Sequence, residues 1–443
     1  MRNTTLTAIG LVGGVLYSGV APAQTTHITP PNPPPLSPDD QQFIASPMRI
    51  DSVQAPSDMP SLNVRTPSGS VAHIFPTMQT HAQMRAAASA PDTGPLLYHG
   101  GEIVQEPHFY QIFWEPPSLQ SGTATGYSAN YVNVNVTLAA HYNGHGIGNI
   151  TTQYFQNVNG VVYPENSGFL VDAVYDRNPF PASGCNDPAT PGNCITDAQL
   201  QAELVKEIQT MKWQIGPDSI FIVYTSSGEG SCLASDNKSC AYAQYCGYHQ
   251  AIVPPNNDIN NVILYANIPY GNPTACVGTG KSPNNDVFAD AATTSASHEV
   301  TEIITDPFGT AWYTSLGNEI GDLCAYIYQN NTNANGLANQ WWSGFPFELQ
   351  TEFDNQSGQC VAVCRTSIDG GYPTSVIRGG YSIHIHLRVK HCHGNEVGSE
   401  RRIEVVCGHG SALLPSSSPP PEIIRHPIWR YLQLGRGEIA RSF

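Results

Sequence analysis

The sequence predicts an α+β fold, a mixed sheet built around one central helix, from three observations. Runs such as HFYQIFW (108–114), SIFIVYT (219–225) and NVILYANI (261–268) have the length and apolar content of strands. An Ala-rich stretch from about 286 to 305 is far too long for a strand and is stopped by Pro307. The chain also holds 11 cysteines, several of them bracketing Gly- and Pro-containing loops.

The ends differ from the middle. Arg2 precedes an apolar run from about Leu6 to Val20, and Ala21-Pro22-Ala23 offers a small-x-small cleavage site. Residues 1–23 therefore predict a signal peptide and an exported chain, extracellular or periplasmic. Residues 24–93, with PPNPPPLSPDD and little periodicity, predict a flexible leader or a pro-segment. The α+β core is expected over 94–364. Residues 365–443 carry 10 of the 19 Lys+Arg but 6 of the 35 Asp+Glu, so the tail is formally +4 and the remainder -20. That reversal fits a basic, disordered extension, or out-of-frame translation past a lost stop codon. A His/Cys-rich appendage through His384, His386, His391 and His393 is the sharper alternative.

The formal net charge is -16 with only 12% charged residues, which leaves no cationic footprint for nucleic acid or an anionic membrane.

Within the core, His108–Trp114 is the first strand. A helix follows at 197–213: Thr196 caps it, and Leu200, Leu204, Ile208 and Met211 form its apolar stripe. Strands are expected at 219–225 and 261–268. Cys185/Cys194 and Cys232/Cys240 predict local staples; Cys246 suits Cys276, and Cys324 suits Cys360 or Cys364.

The chemistry gathers at SHEVTEIITD (297–306). His298, Glu302 and Asp306 stand at i, i+4 and i+8, positions that share one face of a helix. Glu299 is turned about 100° away, where a general base would flank an attacking water. NEIGD adds Glu319 and Asp322 downstream. From Ser282 to Cys364 there are ten Asp/Glu and no Lys or Arg. Buried carboxylates without a counter-charge either bind protons or bind a cation. A divalent metal is therefore expected, zinc first, with calcium or manganese as alternatives. His249 of YCGYHQ is a second imidazole; with His298 and one Glu it would complete a His₂Glu set. His99, His108, His141 and His145 read as structural or solvent-facing, and Trp341-Trp342 as packing. No Ser/His/Asp or Cys/His set is evident.

LLYHGGEIVQEPHFYQIFW (96–114), CGYHQ (246–250), SASHEVTEIITDPFGTAWYTSLGNEIGDLCAY (295–326) and LQTEFDNQSGQC (349–360) resemble secreted bacterial and fungal relatives of the plant phosphate-induced, Exordium-like proteins. This resemblance implies an extracellular or cell-wall protein without a settled activity. HEVTE followed by NEIGD is also similar to the helix and downstream ligand segment of thermolysin-like metallopeptidases. That likeness implies Glu299 as base, His298 and Glu319 as ligands, Glu302 in place of a second His, and Asp322 orienting a ligand. Two functions follow as expectations. One is a secreted zincin-like peptidase acting on protein or peptide, with the leader holding it inactive until removed. The other is a non-catalytic binder of cell-wall polysaccharide or protein, carrying a structural ion.

Overall fold

The computed structural model describes residues 25–31, 63–66, 71–88, 92–235, 239–277, 281–328 and 338–362; at 53–54, 65, 376–378, 381–386 and 404–408 it describes the backbone alone. The expected signal peptide (1–23) and, those short strands aside, the 365–443 tail lie outside the described residues.

An eight-stranded mixed sheet organises the molecule. In chain order its strands are β1 (Thr26–His27), β2 (Asn63–Arg65), β3 (Val71–Pro76), β4 (His108–Trp114), β5 (Phe169–Asp176), β6 (Ser219–Thr225), β7 (Tyr245–Ile252) and β8 (Ile263–Ile268). Across the sheet they run β1-β5-β4-β6-β8-β7-β3-β2. β5, β4, β6 and β8 are mutually parallel. β7 turns antiparallel to β8, and β3 and β2 extend that edge antiparallel. Four helices matter here: α1 (Met78–Ala87), α2 (Tyr131–Ala140), α3 (Asp197–Met211) and α4 (Val287–Thr305).

Helices cover the sheet on both faces, which is why its central strands read as unbroken apolar runs. Alternate residues of β4 serve opposite sides. Phe109 and Phe113 pack with Ala289, Ala292, Ala296, Val300 and Ile303 of α4. Tyr110, Ile112 and Trp114 pack with Leu200, Leu204 and Ile208 of α3. The alanines of α4 let its backbone lie close to the sheet, and every residue from Ala289 to Thr305 is buried. Asp286 starts α4 by accepting from the Ala289 amide. α3 carries a complete capping box between Thr196 and Gln199. It ends two residues before the expected 213, because Lys212 turns left-handed at φ 56°.

Four disulfides pin the loops: Cys185–Cys194, Cys232–Cys240, Cys246–Cys276 and Cys324–Cys360. Between the alternatives for Cys324, Cys360 is its partner. Among the described residues no helix is long and apolar enough to cross a membrane. The disulfides are compatible with an extracellular protein.

The leader needs correcting. Residues 71–88 are not a flexible segment outside the core: β3 pairs with β7, with Ala72 and Phe75 fully buried, and α1 follows from its Thr77 cap. β1 likewise pairs with β5. The physical reason is that six residues of VAHIFP gain their order from the sheet edge they join, not from any pattern long enough to stand out in a Pro- and Ser-rich surround.

Candidate metal centre

β3, β7, α4 and the loop after α4 bring seven polar side chains to one buried place. β3 supplies His73, β7 supplies His249, α4 supplies His298, Glu299 and Glu302, and the loop supplies Glu319 and Asp322. Gln350 closes the far side. His249, His298, Glu299, Glu302 and Glu319 are each at most 1% exposed; Asp322 is 4% and His73 7% exposed.

The helix spacing works as the sequence implies. His298 Nε2 lies 3.2 Å from Glu302 Oε1 and 3.9 Å from Asp322 Oδ1. The other oxygen of Glu302 lies 3.5 Å from His249 Nδ1, and His249 Nε2 lies 3.6 Å from Glu319 Oε2. Ligand atoms about 2.0–2.1 Å from a tetrahedral zinc stand about 3.3 Å apart, so these separations are of the right size. Three groups of possible ligands result: His73, His249 and Glu319; His249, Glu299 and Glu302; and His298, Glu302 and Asp322. His249 and Glu302 link them.

Hydrogen bonds fix the orientations. Asp322 N donates to Glu302 Oε1 at 3.1 Å, and Glu319 N donates to Asp322 Oδ2 at 2.9 Å. Gln350 Nε2 donates to His298 Nδ1 at 2.8 Å and to Gly321 O at 3.1 Å. His73 and His249 are register partners whose rings stack 4.8 Å apart at 7°. His73 Nδ1 also lies 2.6 Å from Glu319 Oε1, but off the line of a hydrogen bond. Two glycines make room: a Cβ on Gly321 would stand 2.6 Å from His298 Nδ1, and one on Gly247 would stand 2.9 Å from Glu299 Oε1.

The electrostatics are lopsided. Burial pushes the carboxyls of Glu299, Glu302, Glu319 and Asp322 well above their ordinary range, and neighbouring carboxylates push in the same direction. Backbone amides of Asp322 and Gly321 oppose this at Glu302, and His298 opposes it at Asp322. Burial lowers His73 and His298 to about 4 and His249 further, so all three imidazoles are neutral and keep a lone pair. His249 Nε2 and both Glu319 oxygens are buried and make no hydrogen bond; His298 Nε2 makes none either, but it carries the ring proton while Nδ1 accepts from Gln350, so it is not counted among the acceptors. Such orphaned acceptors are what a cation would satisfy.

Of the expected residues, His249, His298, Glu299, Glu302, Glu319 and Asp322 converge. Asp306 does not: its Oδ1 accepts from the Thr310 and Ala311 amides, both at 2.6 Å, closing the turn after α4. Its carboxyl, raised to about 7 by burial, belongs to no ligand group. The helix ends at Thr305, and the chain has left the shared face by 306. The expected His₂Glu set also changes, because His249 and His298 fall in different groups and the one group with two imidazoles and a Glu contains His73. His73 and Gln350 were not legible as site residues. For His73 the usable signal was the short apolar run of VAHIFP just before a Thr cap. Trp342 packs in the core, stacked on His145, as the sequence suggests.

No family model matches this chain, and no curated protein or solved structure does either.

Proposed function

We propose that this chain is an exported metal-dependent hydrolase, acting on protein or peptide and held closed in the state described here. The observation that carries the reading is the set of orphaned acceptors on His249 and Glu319 in a cluster with no Lys or Arg. A buried polar atom without a partner costs roughly 1–3 kcal/mol, so three acceptors together need an explanation. Neutral imidazoles among carboxylates are a donor set for zinc, with manganese tolerated; calcium prefers oxygen alone.

A bound ion would polarise the scissile carbonyl and make water a better nucleophile. The chain's own part falls to Glu299. Hydrolysis consumes one water: its oxygen bonds to the carbonyl carbon, the C–N bond breaks, and a proton must pass to the leaving amine. Glu299 carries that proton. Here both its oxygens are engaged, Oε1 by the Phe75 amide at 3.2 Å and Oε2 by His249 Nδ1 at 3.0 Å. The base is thus held in place yet occupied.

Near-complete burial favours a second reading, since structural zinc sites are closed and catalytic ones keep an open position. On that reading the ion is structural in a non-catalytic, Exordium-type protein that binds cell-wall polysaccharide or protein. Glu299→Gln separates the two. In purified, metal-loaded protein it should retain the ion and lose hydrolysis of casein-derived peptides by about 10²–10⁴-fold. Undiminished cleavage would remove Glu299 from the mechanism. No metal in the wild-type chain by elemental analysis would remove the centre.

A further inference from the structure

We infer that β3 is a built-in occupant of a peptide-binding edge: Val71–Pro76 lies along β7 where an extended peptide would pair, and closes the metal centre from there. This rests on the hydrolase reading and names its substrate class, an extended peptide bearing an aromatic side chain.

The sheet topology supplies the first reason. Past β8 the sheet turns antiparallel at β7, and among the described residues only the N-terminal segment, β3 and then the three-residue β2, covers the far edge of β7. Without β3, β7 would present a row of unpaired amides and carbonyls beside His249, the geometry by which sheet edges take up extended peptides. β3 fills that edge as an antiparallel guest, with His73 opposite His249, Ile74 opposite Tyr248 and Phe75 opposite Gly247.

The side chains supply the second reason. Each inward contact of β3 blocks something a hydrolase needs. His73 sits against Glu319, its Nδ1 2.6 Å from Oε1, and neither Glu319 oxygen makes a hydrogen bond. The Phe75 amide donates to Glu299, the proposed base. The register shift between Tyr245 and Gly247 lies at this place, and Gly247 leaves the Glu299 carboxylate room to reach across. Phe75 stacks on His298 at 4.2 Å and on Tyr326 at 5.1 Å, a slot shaped for an aromatic side chain. A strand kept only to finish the sheet would not need an imidazole on the ligand cluster and an amide on the base together.

Displacing β3 would free Glu299 Oε1 and the far side of Glu319 in one movement, with His249 still holding Glu299 Oε2, and a substrate strand would inherit the β7 pairing and the Phe75 slot. The group of His298, Glu302 and Asp322 includes no residue of β3 and stays in place to hold the ion.

The test uses the full chain loaded with zinc. His73→Ala should keep wild-type zinc stoichiometry, lose zinc to a chelator at least tenfold faster, and cleave casein-derived peptides at least tenfold faster. A synthetic VAHIFPT peptide should inhibit that variant more strongly than the same peptide with Phe replaced by Ala. Zinc lost from His73→Ala with no gain in cleavage overturns the inference, because His73 is then a permanent ligand; so does unchanged cleavage with zinc retained. In either case zinc in the wild-type chain leaves the hydrolase reading standing, whereas a wild-type chain without zinc fails that reading itself. Amide hydrogen exchange on the wild type keeps the question decidable if the variant does not fold. The β3 amides from Ala72 to Phe75 should exchange at least tenfold faster than those of β6, and equal protection overturns a separable strand.

Discussion

Glu302 is the residue on which the centre turns, because its two oxygens face different histidines, His298 at 3.2 Å and His249 at 3.5 Å. Glu302→Gln keeps the shape and the bond from the Asp322 amide but removes the charge. Zinc affinity, read by competition with a chromophoric chelator, should fall at least tenfold while the fold persists. Gly321→Ala acts by size instead: the added methyl meets His298 at 2.6 Å in packed surroundings, and should destabilise by about 1–3 kcal/mol in urea titration. At this scale the sequence was legible wherever ligands share a helix or follow it closely, since i and i+4 positions meet by geometry alone. It was not legible for His73 or Gln350, which reach the centre only through long-range pairing that no local spacing encodes.

At the scale of elements, α3 illustrates what local pattern does settle. Its cap, capping box and apolar stripe are all in the sequence and all present in the fold. Thr196→Ala should therefore cost about 1 kcal/mol and Leu204→Ala, at 1% exposure, about 2–5 kcal/mol, both measured by chemical denaturation. The N-terminal segment shows the opposite case. β3 is six residues long and its partner β7 lies over 160 residues away, so composition pointed to a leader while sheet pairing made it core. The Cys246–Cys276 bridge ties the β7 start to the loop before α4 across 30 residues. A Cys246→Ala, Cys276→Ala pair should lose roughly 3–4 kcal/mol on the chain-entropy account, and the β3 edge should loosen with it.

Across the whole molecule the acidic balance is not confined to the surface, and this sets how stability depends on pH. Away from the metal centre, Asp176 is raised to about 8 by burial and by Glu203 and Glu207, against the Asn178 amide. Glu229 is raised to about 8 by burial, against Gln120, and Glu348 to about 7 by burial, against Lys281. The folded chain therefore holds protons that the unfolded chain releases near pH 4. The stability these three groups contribute is fully present below that point and is lost as pH rises toward 8, the reverse of a salt-bridged carboxylate. One pKa unit is worth about 1.4 kcal/mol, so even a fraction of these shifts moves the melting temperature by degrees. In excess chelator, the melting temperature should fall between pH 5 and pH 8, and Glu229→Gln should flatten the fall. With zinc present the centre should oppose the trend, because acid protonates its carboxylates and releases the ion. The zinc-loaded and zinc-free curves should then separate as pH rises, and curves that stay parallel from pH 5 to 8 would mean that no ion is held by these carboxylates.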